Sequence, residues 1–123
     1  MRSFVVATSL ILIAFLSTPA WAQQNRNFKV YNFTRYRITA FFFKTEDSNE
    51  WVPMRGEQIP AGESTIVTFD QSGPCRLQFR VDTTGGEADF LRPFNFCALN
   101  WIGVFYDYDT GIFTSKQGLS AHP

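Results

Sequence analysis

Residues 75–81 alternate cleanly: Cys75, Leu77, Phe79 and Val81 are apolar, and Arg76, Gln78 and Arg80 between them are polar. A period of two puts successive side chains on opposite faces of an extended chain. This stretch therefore predicts a strand with one buried and one wet face, Cys75 pointing inward. Residues 28–32 repeat the pattern, with Phe28 and Val30 inward and Lys29 outward. Residues 36–44 are also rich in β-favouring side chains, but Ile38, Ala40 and Phe42 fall on one face and Phe41 and Phe43 on the other. That distribution predicts a strand covered on both sides.

Turn residues punctuate the chain every eight to twelve positions, and helical periodicity is hard to find. A polar loop at 45–50 precedes a short return at Trp51-Val52. Pro60-Ala61-Gly62-Glu63 predicts a turn in which proline presets φ and glycine relieves it, followed by a strand at 64–69. Turns at 70–74 and 82–86 bracket the strand at 75–81 with connections short enough for antiparallel neighbours. Strands at 88–91, 94–99 and 101–106 follow, and Asp109-Thr110-Gly111 closes a hairpin onto 112–114. The fold class expected is all-β: a single small antiparallel β-sandwich of about seven strands, with a small barrel or an open sheet as the competing arrangements. From Ser115 the apolar pattern fades, so residues 115–123 are expected to be a flexible tail.

The N-terminus carries a different pattern. Arg2 is followed by an apolar stretch over residues 4–16, broken only by Thr8 and Ser9, and then by Ala20-Trp21-Ala22, the small-x-small site of a signal peptidase. Residues 1–22 are therefore expected to be a cleaved signal peptide of bacterial type, and residues 23–114 the folded domain. The apolar run is short for a bilayer span and no second one follows, so no membrane span is expected. A cysteine at the cleavage point would mark a lipoprotein, and Gln23 stands there instead. The destination implied is the periplasm or the extracellular space.

Export changes the reading of the cysteines. Cys75 and Cys97 are the only two in the chain, and in an oxidising compartment they are expected to pair as one disulfide. Closing a loop of about 22 residues stabilises a domain by about 3 kcal/mol in the chain-entropy model. A redox or nucleophilic cysteine would want a Cys-x-x-Cys partner or a nearby histidine, and neither is present. The formal net charge is zero over the whole chain, and the Lys and Arg residues form no run. Nothing in the bulk charge attracts nucleic acid or anionic lipid.

Several landmarks occur in a particular order: Asn32-Phe33-Thr34 near the start, Ser48-Asn49-Glu50-Trp51 ending a polar loop, the turn Gly62-Glu63-Ser64, a strand containing Cys75, the second cysteine Cys97, and the close Phe105-Tyr106-Asp107. In that order and spacing the chain resembles a group of small exported bacterial β-rich proteins without an established activity, over nearly its whole mature length. The pattern of that group looks like Cys-x-aromatic-Asp-Leu followed by a basic residue, and this chain has Gln78 at the Asp position. Proteins similar to these sometimes carry the label argininosuccinate lyase. That enzyme family looks like a long, mostly helical chain with a signature loop rich in serine, Met-Pro and lysine and a site built from several subunits. A short β-patterned chain does not accommodate it.

Candidate chemistry is sparse. The only histidine, His122, is next to last, so a Ser-His-Asp or Cys-His arrangement lacks a dependable base. Zinc wants three or four ligands and a disulfide consumes both thiols, so neither a metal nor another cofactor is expected. Eleven Asp and Glu residues leave a carboxylate-dependent hydrolase conceivable, although none sits in an apolar stretch that would raise its pKa. Asp107-x-Asp109-x-Gly111 imitates half a calcium loop but lacks the closing Glu, which favours a hairpin turn. Asn32-Phe33-Thr34 matches a glycosylation acceptor, and strand-end chemistry is the preferred reason for Asn32.

Aromatic residues make up 17% of the chain, and most must fill the core. Trp51, Tyr106, Asp107, Tyr108 and Asp109 are the candidate contact residues, because rings give area and carboxylates give direction if they share one rim. The function expected is a non-catalytic exported binding module, a monomer whose partner is an envelope protein or a glycan. A structural or stress-related envelope protein is the alternative.

Overall fold

The computed structural model describes residues 26–69 and 73–119. The expected signal peptide and residues 120–123, His122 included, lie outside the described residues. Eight strands follow in order: β1 (Arg26–Phe33), β2 (Ile38–Lys44), β3 (Val52–Met54), β4 (Ser64–Phe69), β5 (Arg76–Thr83), β6 (Gly86–Asn95), β7 (Leu99–Asp107) and β8 (Ile112–Leu119). They form two four-stranded sheets, sheet A in the order β4-β1-β7-β8 and sheet B in the order β3-β2-β5-β6. The fold is all-β and the sheets pack as a sandwich.

The alternating residues supply the core. Phe28 and Val30 of β1, Phe41 and Phe43 of β2, Leu77, Phe79 and Val81 of β5, and Ile102 and Val104 of β7 are all buried. Rings from the two sheets meet edge to face, Phe28 on Phe79 at 6.0 Å and Phe43 on Phe69 at 5.3 Å between centroids. Such geometry sets the positive ring edge against the negative face. At the turn before β4, the Glu63 N–H donates to the Pro60 carbonyl at 3.1 Å with Gly62 at φ 80°, as the proline-glycine pair predicts.

The structure departs from the expected strands in several places, each for a physical reason. β2 is bulged between Ile38 and Ala40, and the extra residue turns Ile38 onto the face of Phe41 and Phe43 rather than that of Phe42. The expected strands at 88–91 and 94–99 are not separate units. β6 runs through Pro93 to Asn95, and a turn at 96–98 leads into β7. Pro93 and Pro53 sit on β6 and β3, the two edges of sheet B, where a missing N–H breaks no internal ladder. β5 has the expected antiparallel neighbour in β6, but β4 on its other side in sequence belongs to the opposite sheet. Five of the strand pairs are antiparallel, while β1 and β7 run parallel.

The expected tail is shorter than its composition implies. Residues 115–119 continue β8, with Ser115 opposite Val104 and Lys116 opposite Gly103. An edge strand is held by backbone hydrogen bonds to a preformed neighbour and needs no apolar repeat of its own.

Cys75 and Cys97 are joined, with their Cα atoms 5.1 Å apart. The bridge ties the start of β5 to the turn after β6, beside a backbone hydrogen bond from the Phe96 N–H to the Cys75 carbonyl at 2.8 Å. Cys75 is half-buried and lies just outside β5 rather than continuing its inward row. Replacing both cysteines by serine is expected to lower stability by about 3 kcal/mol. Chemical denaturation of the variant and of the reduced wild type should give the same lowered midpoint.

Candidate functional site

The outward row of β1 is Lys29, Tyr31 and Phe33, and that of β7 is Trp101, Gly103 and Phe105. The parallel register sets them side by side, Lys29 with Trp101, Tyr31 with Gly103 and Phe33 with Phe105. Four rings thus gather on the outer face of sheet A. Tyr31 stacks on Phe33 at 5.8 Å and 10°, Phe33 stacks on Phe105 at 4.8 Å and 16°, and Tyr31 meets Trp101 edge-on at 6.2 Å.

Two glycines make this arrangement possible. A Cβ on Gly103 would come within 3.0 Å of the Phe105 ring and 3.3 Å of the Phe33 ring. A Cβ on Gly118 would overlap the Trp101 indole outright, so Trp101 lies across the bare backbone of β8. The four rings line a shallow concavity of about 340 Å³. Phe33 is 55% exposed, Ile66 49% and Ile112 57%, which is far more apolar exposure on one sheet face than packing requires. A second concavity of about 390 Å³ wraps around the free edge of β8, where Arg92 and Lys116 face the other side of Trp101.

Electrostatics distinguish the two outer faces. On sheet B, Arg80 pairs with Asp82 at 2.9 Å, Glu87 at 2.7 Å and Asp89 at 3.6 Å. Partial burial works against its charge, but the hydrogen bond to Asp82 and the three carboxylates outweigh it and raise the Arg80 pKa. The guanidinium also lies over Phe42 at 5.0 Å and beside Trp51 at 5.9 Å. The charge of Arg80 is thus neutralised within that face. On sheet A, Lys29 and Lys116 lie over Tyr31 and Phe105 at 5.6 and 5.4 Å, and among the described residues no carboxylate pairs with either.

The residues singled out in the sequence fall in two places. Trp51 is half-buried on sheet B, under Lys44 at 5.3 Å and near Arg80. Lys44 itself donates to the Ser48 carbonyl at 2.8 Å. Tyr106, Asp107, Tyr108 and Asp109 gather instead at one end of sheet A. Tyr106 points inward at the end of the sandwich, against Tyr36 at 5.3 Å and Phe113 at 4.7 Å. Desolvation there, followed by the neighbouring Tyr36 phenol, pushes its pKa above the ordinary tyrosine value. The Asp107 carboxylate accepts from the Asp109 N–H at 2.9 Å, and the Asp107 carbonyl accepts from the Gly111 N–H at 2.8 Å. The pair closes the hairpin as an Asx turn. Tyr108 is exposed, stacked under the Arg35 guanidinium at 4.4 Å, and its hydroxyl oxygen accepts from the Arg35 N–H at 3.2 Å. Trp51 and Tyr108 therefore share no rim.

Asn32 is 1% exposed. Its amide donates to the carbonyls of Tyr36 at 2.7 Å and Ile59 at 2.9 Å, and its Oδ1 accepts from the Thr34 N–H at 3.0 Å and hydroxyl at 2.7 Å. A side chain so occupied is closed to glycosylation in the folded domain. Its work is to tie the end of β1 to the loop before β4.

The sequence reading did not single out the cluster of Tyr31, Phe33, Trp101 and Phe105. The signal was present in part: once Lys29 faces outward, Tyr31 and Phe33 must too. No protein-family model matches the chain, and neither a curated protein nor a solved structure is similar to it at a significant level.

Proposed function

We propose that this protein is a non-catalytic exported binding module whose contact surface is the outer face of sheet A. One observation carries the reading: Tyr31, Phe33, Trp101 and Phe105 form an open aromatic platform set on two glycines that leave room for it. Exposed rings cost solubility, and a fold that gathers a cluster of them on one open face has a partner to cover them. The platform supports binding rather than catalysis because only rings line it, with no nucleophile or paired acid and base among them. Export is supported by the signal-like N-terminal pattern and by the Cys75–Cys97 disulfide. No helix among the described residues is long and apolar enough to cross a membrane.

A panel of envelope glycans and purified envelope proteins, probed with wild type and with the double variant Phe33→Ser/Trp101→Ala, tests the reading. Both side chains reach solvent, so the fold should survive, as checked by circular dichroism. Loss of the wild-type interaction by roughly tenfold or more is expected for removal of two anchoring rings. Undiminished binding by the double variant, or binding removed only by Trp51→Ala or Tyr108→Ala, would overturn the assignment of this face.

A further inference from the structure

Resting on that reading, we infer that the platform takes an acidic glycan, a chain of sugar rings bearing carboxylates, laid across the rings of sheet A with its charges on Lys29, Lys116 and Arg92. The rings come first. A pyranose presents a flat face of C–H groups, and an open row of stacked side chains offers dispersion contact and weak C–H donors something to point at. The platform is shallow and open, which suits a chain passing over it rather than a small molecule held within.

The cations supply the second observation. Lys29 lies beside Trp101 in register, Lys116 beside Gly103, and Arg92 faces Trp101 from across the free edge of β8. All three are exposed, and among the described residues none pairs with a carboxylate. On the opposite sheet the equivalent position is filled the other way: Arg80 is consumed by Asp82, Glu87 and Asp89. Three cations without a carboxylate partner thus stand around the unspent rings, and the chemistry complementary to both is apolar ring faces carrying sparse negative groups.

Spacing favours a glycan over other anions. The three cations stand singly, each with a ring beside it, and the whole chain has a formal net charge of zero. A polyphosphate backbone or an anionic membrane is gripped by dense basic stripes or clusters of about four to eight Lys and Arg, which this face lacks.

Polygalacturonate and its fully methyl-esterified form share one backbone and differ in the carboxylate charge and the ester methyl, and the charge-removing variant below separates the two. Affinity electrophoresis and titration calorimetry of the oxidised protein are expected to show polygalacturonate binding roughly tenfold more tightly at low salt, the sum of three exposed charge pairs. The advantage should shrink as salt screens it. The triple variant Lys29→Gln/Arg92→Gln/Lys116→Gln should bind both polymers alike, whereas Trp101→Ala should weaken both. Equal affinity of the wild type for the two polymers, or a preference that survives in the triple variant, would overturn the acidic inference and leave the binding face standing. Retention of neither polymer, with capture instead by phosphatidylglycerol vesicles, by oligo-dT or by a second copy of the chain in sedimentation, would overturn the glycan itself. Only the Phe33/Trp101 experiment above decides the face.

Discussion

Asn32→Ala is expected to destabilise the domain by about 3–5 kcal/mol, although the side chain belongs to no hydrophobic cluster. Truncation leaves the Thr34 N–H without its side-chain partner and takes one of two donors from each of the Ile59 and Tyr36 carbonyls. A buried polar group stripped of its partner costs about 1–3 kcal/mol, and there is no room here for a compensating rotamer. The backbone around Asn32 is also shared, since its N–H donates to the Glu63 carbonyl at 2.8 Å and its carbonyl accepts from the Gly62 N–H at 2.9 Å. Asn32→Asp should fare no better, because it places a carboxylate oxygen against two carbonyls. Thr34→Ala should cost about 1–2 kcal/mol, since it removes a hydroxyl but leaves the Asn32 amide paired. Denaturant midpoints for the three variants check the order. An Asn32→Ala protein as stable as wild type would show that the knot carries no weight. In a domain with about 5–15 kcal/mol in total, the expected loss is a large share.

Phe79→Ala should be as damaging for a different reason. Phe79 is fully buried at the centre of β5, and its ring meets Phe28 across the core from sheet A, Phe90 and Phe94 of the neighbouring β6, and Phe96 in the turn after it, at 5.9 to 6.3 Å. Those four rings are held by β1, β6 and the turn after β6, in both sheets, so no single side-chain movement can fill the space left behind. Truncation of a buried Phe in such a setting costs about 3–5 kcal/mol, part transfer and part cavity. Phe79→Leu should retain most of the contact and cost about 1–2 kcal/mol. Thermal and urea unfolding measure both, and near-equal losses for Ala and Leu would argue that the core closes over the gap. Neither substitution touches the outer face of sheet A, so the binding of a folded Phe79→Leu protein should equal that of wild type.

Some parts of this architecture were legible residue by residue. The inward row of β5 and that of β1 followed from strict alternation, and the pairing of Cys75 with Cys97 followed from their being the only two thiols. The turn at Pro60–Glu63 followed from residue chemistry. Ile38 misled because a bulge shifts the phase of alternation, and nothing in Ile-Thr-Ala-Phe announces where an extra residue will be accommodated. Residues 115–119 misled because pairing to β7 substitutes for an apolar pattern. The candidate rim misled more instructively. Trp51 and the segment 106–109 are equally aromatic, but Trp51 is capped by Lys44 and Arg80 on one sheet, and Tyr108 is stacked on Arg35 at the end of the other.

By itself the sequence determined the inward and outward rows of β1 and most of those of β5, because alternation is a property of a single strand and needs no partner; Gln78, expected on the wet face, is buried. The sequence therefore already held that Tyr31 and Phe33 point away from the core. Only the tertiary structure decided that they lie beside Trp101 and Phe105, some seventy residues further along the chain. That adjacency comes from the parallel docking of β1 on β7, with Gly103 and Gly118 making space for the rings. Strand pairing is a choice among many backbone-equivalent neighbours, settled by how both sheets close over one core, and no local pattern encodes it.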